Sequence, residues 1–137
     1  MKKQIFNTLY ILGHLRRLAA AFLLLSAATL AYAQISVMTF NIRLDASVDG
    51  PNVWDNRKAA VCEMLKYYSP DLLGMQEVCP NQMDDLKAGL PEYEALGVGR
   101  DDGKHKGEHS PVFFNKKRFR LIRHGDFSLS ETPEVFG

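Results

Sequence analysis

Apolar positions fall into blocks whose spacing changes along the chain. Leu18 to Leu30 is a run of apolar and small residues with no internal period. Ile35 to Ile42 (ISVMTFNI) is β-rich and nearly apolar throughout, which predicts a strand covered on both faces, with Asn41 near its end. Beyond the Gly50-Pro51 break, Ala60, Val61, Met64, Leu65 and Tyr68 recur at helical spacing. They predict a helix from about Asn56 to Tyr68, capped by Asp55 and stopped by Pro70. Asp71 to Val78 (DLLGMQEV) predicts a second buried strand, in which alternation puts Leu73, Met75 and Glu77 on one face. Asn81 can cap a short helix that turns Met83, Leu86 and Leu90 one way and closes at Gly89 and Pro91. Tyr93 to Val98 reads as a third strand, and Gly99 to Ser110 (GRDDGKHKGEHS) as a charged, glycine-rich loop. Pro111 to Phe114 and Phe119 to Asp126 predict a hairpin about residues 115–118, and FSLSETPEVFG is irregular. The order strand, helix, strand, helix, hairpin is an α/β arrangement with helices laid on a sheet.

Charge separates the chain into two segments. Lys2, Lys3, Arg16 and Arg17 precede the first apolar run, no acid occurs before Asp45, and Ala31, Tyr32 and Ala33 form an A-x-A site before Gln34. Residues 1–33 therefore read as an export signal, cleaved to leave one domain over residues 34–137 in the periplasm or outside the cell. The run falls short of the roughly 20 apolar residues that a bilayer span needs, so no stable membrane insertion is expected after cleavage. Residues 34–137 keep 13 basic against 16 acidic side chains, a net charge of −3. That balance argues against a protein that grips nucleic acid by a broad basic field, so any phosphate chemistry needs a local site or a metal. Cys62 and Cys79 are open to two readings, an exported disulfide or two small buried hydrophobes.

Few residues stand out chemically. Glu77 closes an apolar strand, a position that suits either a solvated strand-end acid or a carboxylate holding a hard cation. Asn41, at the end of the other buried strand, suits either a turn or an amide that donates to a phosphate oxygen. In the loop, Arg100, Asp101, Asp102 and Glu108 offer a phosphate-binding fork and proton-handling acids, unless they are simply solvated. His105 and His109 read as surface histidines, and Lys116, Lys117 and Arg118 as a charged hairpin tip. The sequence has no G-x-S-x-G, phosphate-binding Walker loop or C-x-x-C.

Six ordered segments carry a resemblance: MTFNIR (38–43), WDNRKAAV (54–61), PDLLGMQEV (70–78), GVGRDDG (97–103), GEHSPVFFNKKRF (107–119) and FSLSETP (127–133). Together they resemble the secreted, metal-dependent endonuclease/exonuclease/phosphatase family, relatives of deoxyribonuclease I. The resemblance implies the N-terminal half of a four-layer α/β sandwich, truncated, whose sheet is covered by a missing C-terminal half or by a partner. It implies that Glu77 binds catalytic Mg²⁺ or Mn²⁺ and that Asn41 helps position the scissile phosphate and the metal-bound water. Glu108 would orient the family's catalytic histidine, and Arg100 and Asp102 would border the cleft on the substrate side. The substrate would be a phosphoester, either nucleic acid or a small phosphorylated molecule. The family's later N-T-H-x-D, G-D-x-N and S-D-H motifs do not occur here, Ser128 stands where relatives often have Trp, and the segment around His124 lacks the histidine motif. The expectation is thus a phosphoesterase fragment inactive by itself, or else an inactive remnant or binding module of the same fold.

Overall fold

The computed structural model describes residues 12–22 and 34–136. The chain divides into two compact units, Met1–Ile35 and Ser36–Gly137. In the first, residues 12–22 form a solvent-exposed helix, α1. Most of the apolar run and the A-x-A site lie outside the described residues. Among the described residues no helix is long and apolar enough to cross a membrane.

The second unit runs β1 (Val37–Asn41), a 3-10 segment (Ser47–Asn52), α2 (Trp54–Tyr68), β2 (Leu72–Gln76), α3 (Pro80–Gly89), β3 (Tyr93–Leu96) and β4 (Val112–Asn115). The sheet order is β1-β2-β4-β3, with β1 parallel to β2 and the other pairs antiparallel. A parallel pair needs a crossover, and α2 supplies it. The α/β class read from the sequence holds.

One face of the sheet carries the core. Leu73, Met75 and Phe113 are buried there, with Met38, Phe40, Tyr93 and Ala95 packed beside them. Trp54 and Leu65 of α2 and Met83 and Leu86 of α3, with Leu90 just beyond it, close over that face. The other face is only partly covered: Val37 is 72% exposed and Val112 46%, whereas Phe114 on the same face is buried. The expectation that Ile35 to Ile42 is covered on both faces is therefore not met within this chain. Its apolar residues alternate between a helix-covered side and a bare one.

Three further expectations are corrected. Helix α2 begins at Trp54 with Val53 at its N-cap and no side-chain cap; Asp55 lies in the first turn and pairs instead with Lys58 at 2.8 Å. Its inward stripe is Trp54, Cys62 and Leu65, flanked by Val61 and Met64, whereas Ala60 and Tyr68 face solvent. Helix α3 is capped by Cys79 rather than Asn81: the Cys79 N–H donates to Gln82 Oε1 at 2.9 Å, closing a capping box. The hairpin does not form, because β4 is an interior strand whose two edges are already taken by β2 and β3. Asn115 instead closes a turn, its Oδ1 accepting from the Lys117 N–H at 2.9 Å, and no strand forms over residues 119–128.

Both cysteines are free thiols, Cys62 buried and Cys79 partly so. Burial pushes the Cys62 thiol up. The second of the two sequence readings therefore describes Cys62.

Candidate active site

Asn41 and Gln76 are the last residues of two parallel strands and sit opposite each other in register. A strict two-residue alternation would put the next residue, Glu77, on the opposite face, under the helices with Leu73 and Met75. The backbone prevents this. Glu77 has φ 61°, a left-handed conformation rare for a residue with a Cβ, and it ends the pleat. Its carboxylate is re-aimed toward β1: Asn41 Nδ2 donates to Oε1 at 2.7 Å, and the Leu44 N–H donates to Oε2 at 3.1 Å. Arg43, at φ 62°, makes the matching reversal beyond β1, and its N–H donates to Asn41 Oδ1 at 2.9 Å. One peptide segment thus fixes both side chains.

These bonds hold the Glu77 carboxyl below its usual range. The Asn41 amide contributes most, followed by the Leu44 N–H, while desolvation opposes them. The carboxylate is ionised at neutral pH and half-buried. Each oxygen accepts one hydrogen bond in the structure and keeps a further lone-pair direction. This donor set fits a hard divalent cation, which takes oxygen ligands and, for Mg²⁺, needs only one or two carboxylates with water and phosphate completing the shell. Among the described residues no group of three or more His, Cys, Asp or Glu is placed to hold a metal.

The other predicted residues form a second group in the loop after β3. Asp102 turns inward on its own backbone: Oδ1 accepts from the N–H groups of Lys104, His105 and Lys106 at 2.8, 2.9 and 2.9 Å. Those bonds, that from Lys106 foremost, keep its carboxyl low. The loop is drawn so tight that a Cβ at Gly99 would stand 2.2 Å from the Lys106 carbonyl oxygen. Arg100 pairs with Glu108 at 3.5 Å and with Asp101 at 3.4 Å. His109, read from the sequence as a surface residue, is 2% exposed. Its Nδ1 lies 3.1 Å from the Val78 carbonyl, and the two residues exchange backbone hydrogen bonds. That bridge ties the Glu108–His109 step to the Glu77–Val78 step. His105 is exposed as expected, and its ring meets that of His109 edge-on at 5.9 Å. Two of the three cations of the expected tip are in ion pairs, Lys117 with Glu92 at 2.8 Å and Arg118 with the buried Asp71.

Reading the sequence missed the residues behind the site. Arg43 forks onto Asp49, Nε to Oδ2 at 3.0 Å and Nη2 to Oδ1 at 2.8 Å. Arg57 reaches from α2 to the backbone of the turn after β1, and Gln82, fully buried, reaches the same turn from α3. Arg57 sits in WDNRK on a helix whose period reports only the inward stripe, so an arginine at its flank carries no signal of a tertiary contact. Arg43, two residues after Asn41, was the more readable of the two.

Residues 38–133 match the model of the Endonuclease/Exonuclease/phosphatase family. The chain belongs to that family. Among solved structures it is similar to an endonuclease/exonuclease/phosphatase from Bacteroides vulgatus, at 47% identity and a TM-score of 0.74 over 75% of this chain and 40% of that one. A mannosyl-6-phosphatase from Bacteroides thetaiotaomicron shares 41% identity at a TM-score of 0.70, over 74% of this chain and 39% of its own length. An uncharacterized protein, R895, of Acanthamoeba polyphaga mimivirus is 34% identical over 93 residues, 60% of this chain and 14% of that protein. The chain thus spans about 40% of the solved family structures it matches. Its four-stranded α/β unit corresponds to the N-terminal part of the deoxyribonuclease I-like fold.

Proposed function

We propose that this chain supplies the cation-binding and phosphate-orienting part of a divalent-metal-dependent phosphoesterase site. The observation that carries the reading is the 2.7 Å contact between Asn41 and Glu77, made only because Glu77 leaves the pleat of β2. In this reading Glu77 presents a charged oxygen to Mg²⁺ or Mn²⁺. When bound, that ion polarises the phosphoryl oxygen and steadies the leaving group. Asn41 keeps one amide N–H beyond its bond to Glu77, and this donor orients a phosphate oxygen. Arg100 and Glu108, held on the loop that is bridged to Val78, border the substrate side. The substrate we propose is a small phosphorylated molecule. The 41%-identical neighbour is named for a sugar phosphate, and residues 34–137, with a net charge of −3, offer no field for a polyanion. The reading extends to residues 1–33 as a cleaved export signal, checked by whether the exported protein begins at Gln34.

The test is titration of the full chain with Mn²⁺ by calorimetry. Glu77→Gln keeps the shape and the Leu44 contact but removes the charge, so binding is expected to drop by at least about tenfold, the scale on which metal sites respond to altered ligands or ligand support. Asn41→Ala is expected to weaken it less. Undiminished Mn²⁺ binding in Glu77→Gln refutes the assignment.

A further inference from the structure

The turn after β1 is left-handed at Arg43, and a non-glycine residue there is costly unless its surroundings hold it. The holding groups come from two helices. Arg57 of α2 donates from Nη1 to the Ile42 carbonyl at 2.7 Å, from Nη2 to the Arg43 carbonyl at 3.2 Å and from Nε to the Asn52 carbonyl at 2.5 Å. Gln82 of α3 donates from Nε2 to the same Arg43 carbonyl at 2.9 Å, its Oε1 being fixed by the Cys79 N–H.

A peptide group is planar and trans, so its C=O and N–H point in opposite directions and cannot turn separately. The Ile42 carbonyl that Arg57 grips shares a plane with the Arg43 N–H, which orients Asn41 through Oδ1. The Arg43 carbonyl that Arg57 and Gln82 grip shares a plane with the Leu44 N–H, which orients Glu77 through Oε2. Two consecutive peptides are thus held by one guanidinium on their far side, and on their near side they aim the two residues of the site. The fork geometry is specific to arginine, since a planar guanidinium meets two adjacent acceptors where an ammonium meets one direction at a time. Arg57 also lies over the buried Trp54 ring, 5.5 Å from its centroid, which limits how far the fork can swing. An open pocket of about 390 Å³ is walled by Arg43, Asp49, Asn52 and Arg57, but Arg57 already directs Nε, Nη1 and Nη2 at backbone, and Arg43 is forked onto Asp49. Its guanidinium serves the fold of the turn rather than a ligand there.

We infer that Arg57 is a positioning residue for the cation site: through the 42–43 and 43–44 peptides it holds Asn41 and Glu77 in their binding geometry. The inference rests on the reading of Glu77 as a cation ligand, and its test separates the two. The full chain and its Arg57→Met, Arg57→Lys and Glu77→Gln variants are compared for Mn²⁺ affinity, melting temperature and residue-resolved amide exchange. Arg57→Met keeps an apolar stem over Trp54 but removes every donor. It is expected to weaken Mn²⁺ binding by about tenfold, the low end of what loss of a ligand-supporting group costs. It is also expected to unprotect the Arg43 and Leu44 amides while Leu86 and Phe113 stay protected. Arg57→Lys is expected to fall between, because one ammonium can recover one carbonyl. Wild-type Mn²⁺ affinity with intact Arg43 and Leu44 protection in Arg57→Met overturns the inference. If Glu77→Gln binds Mn²⁺ as the wild type does, the cation reading falls, and the exchange data still decide whether Arg57 holds the turn. If Arg57→Met fails to fold, Arg57→Lys gives the answer, because it keeps the charge and the stem while losing the fork that meets both carbonyls. Wild-type Mn²⁺ affinity with unchanged Arg43 and Leu44 protection in that variant also overturns the inference.

Discussion

Glu77 and Asp71 stand on either side of β2 and are both held as carboxylates, by different means. Asp71, 3% exposed, accepts from the Ser36 N–H at 2.8 Å, from Ser36 Oγ at 3.1 Å and from the Arg118 guanidinium. The Ser36 N–H does most to lower its carboxyl, as the Asn41 amide does for Glu77. Both groups bind protons less readily in the folded chain than in the unfolded one, where their ordinary values are 3.8 and 4.5. The stability they contribute is therefore complete above those values and is lost as pH falls through the lower, folded ones. The chain is expected to be less stable to urea at pH 3 than at pH 7, with the loss concentrated below about pH 4.5, where the unfolded chain takes up protons first. Asp71→Asn is expected to lower stability at pH 7 and to flatten the acid limb, because an amide has no proton to gain. A variant with the same acid limb as the wild type would show that Asp71 contributes nothing to it.

At the scale of the element, periodicity located α2, α3 and the two parallel strands, while the contacts between elements determined what it could not. The stripe Val61, Met64, Leu65 was legible because burial repeats every turn, and Met83, Leu86 and Leu90 face the core as their spacing implies. Trp54 was not legible as an anchor, since it lies ahead of the first periodic residue. Yet it is fully buried, its N–H meets Asp45 Oδ1 at 3.4 Å and its indole Nε1 donates to Asp85 on α3 at 2.8 Å. The hairpin was misread because local propensity does not reveal that β4 already has two neighbours. Asn41 and Glu77 were readable as strand ends, but not as partners, because no sequence period encodes a left-handed residue at position 77. Trp54 provides the quantitative check. Trp54→Ala is expected to destabilise the chain by about 3–5 kcal/mol, as large aromatic deletions do. Trp54→Phe should retain most of the burial and lose the bond to Asp85, at about 1 kcal/mol. Urea unfolding followed by far-ultraviolet circular dichroism measures both, and equal losses in the two variants would assign the effect to the hydrogen bond rather than to packing.

For the whole molecule, the decisive fact is that the helices lie on one face of the sheet only. The register sets Val37, Leu72 and Phe114 in one row and Thr39, Gly74 and Val112 in the next, all on the side away from α2 and α3. Val37 and Val112 are exposed there, while Phe114 is buried, and β1 is an edge strand whose outer backbone groups pair with no strand among the described residues. Exposed valines beside an unpaired edge favour association. The part of this chain that matches covers about 40% of the family structures, and we propose that further chain or a partner covers this face in the working protein. For the chain as it stands, the same surface is expected to find another copy, so that sedimentation velocity shows species heavier than the 15.5 kDa monomer, increasingly so with concentration. Lysine at both exposed positions, Val37→Lys with Val112→Lys, places charge on the face without touching the core on the other side. It is expected to shift the distribution toward monomer with an unchanged circular dichroism spectrum. Association that persists in the double variant would mean that the unpaired edge of β1 or the exposed Tyr67 and Tyr68 of α2, rather than the open face, drives it.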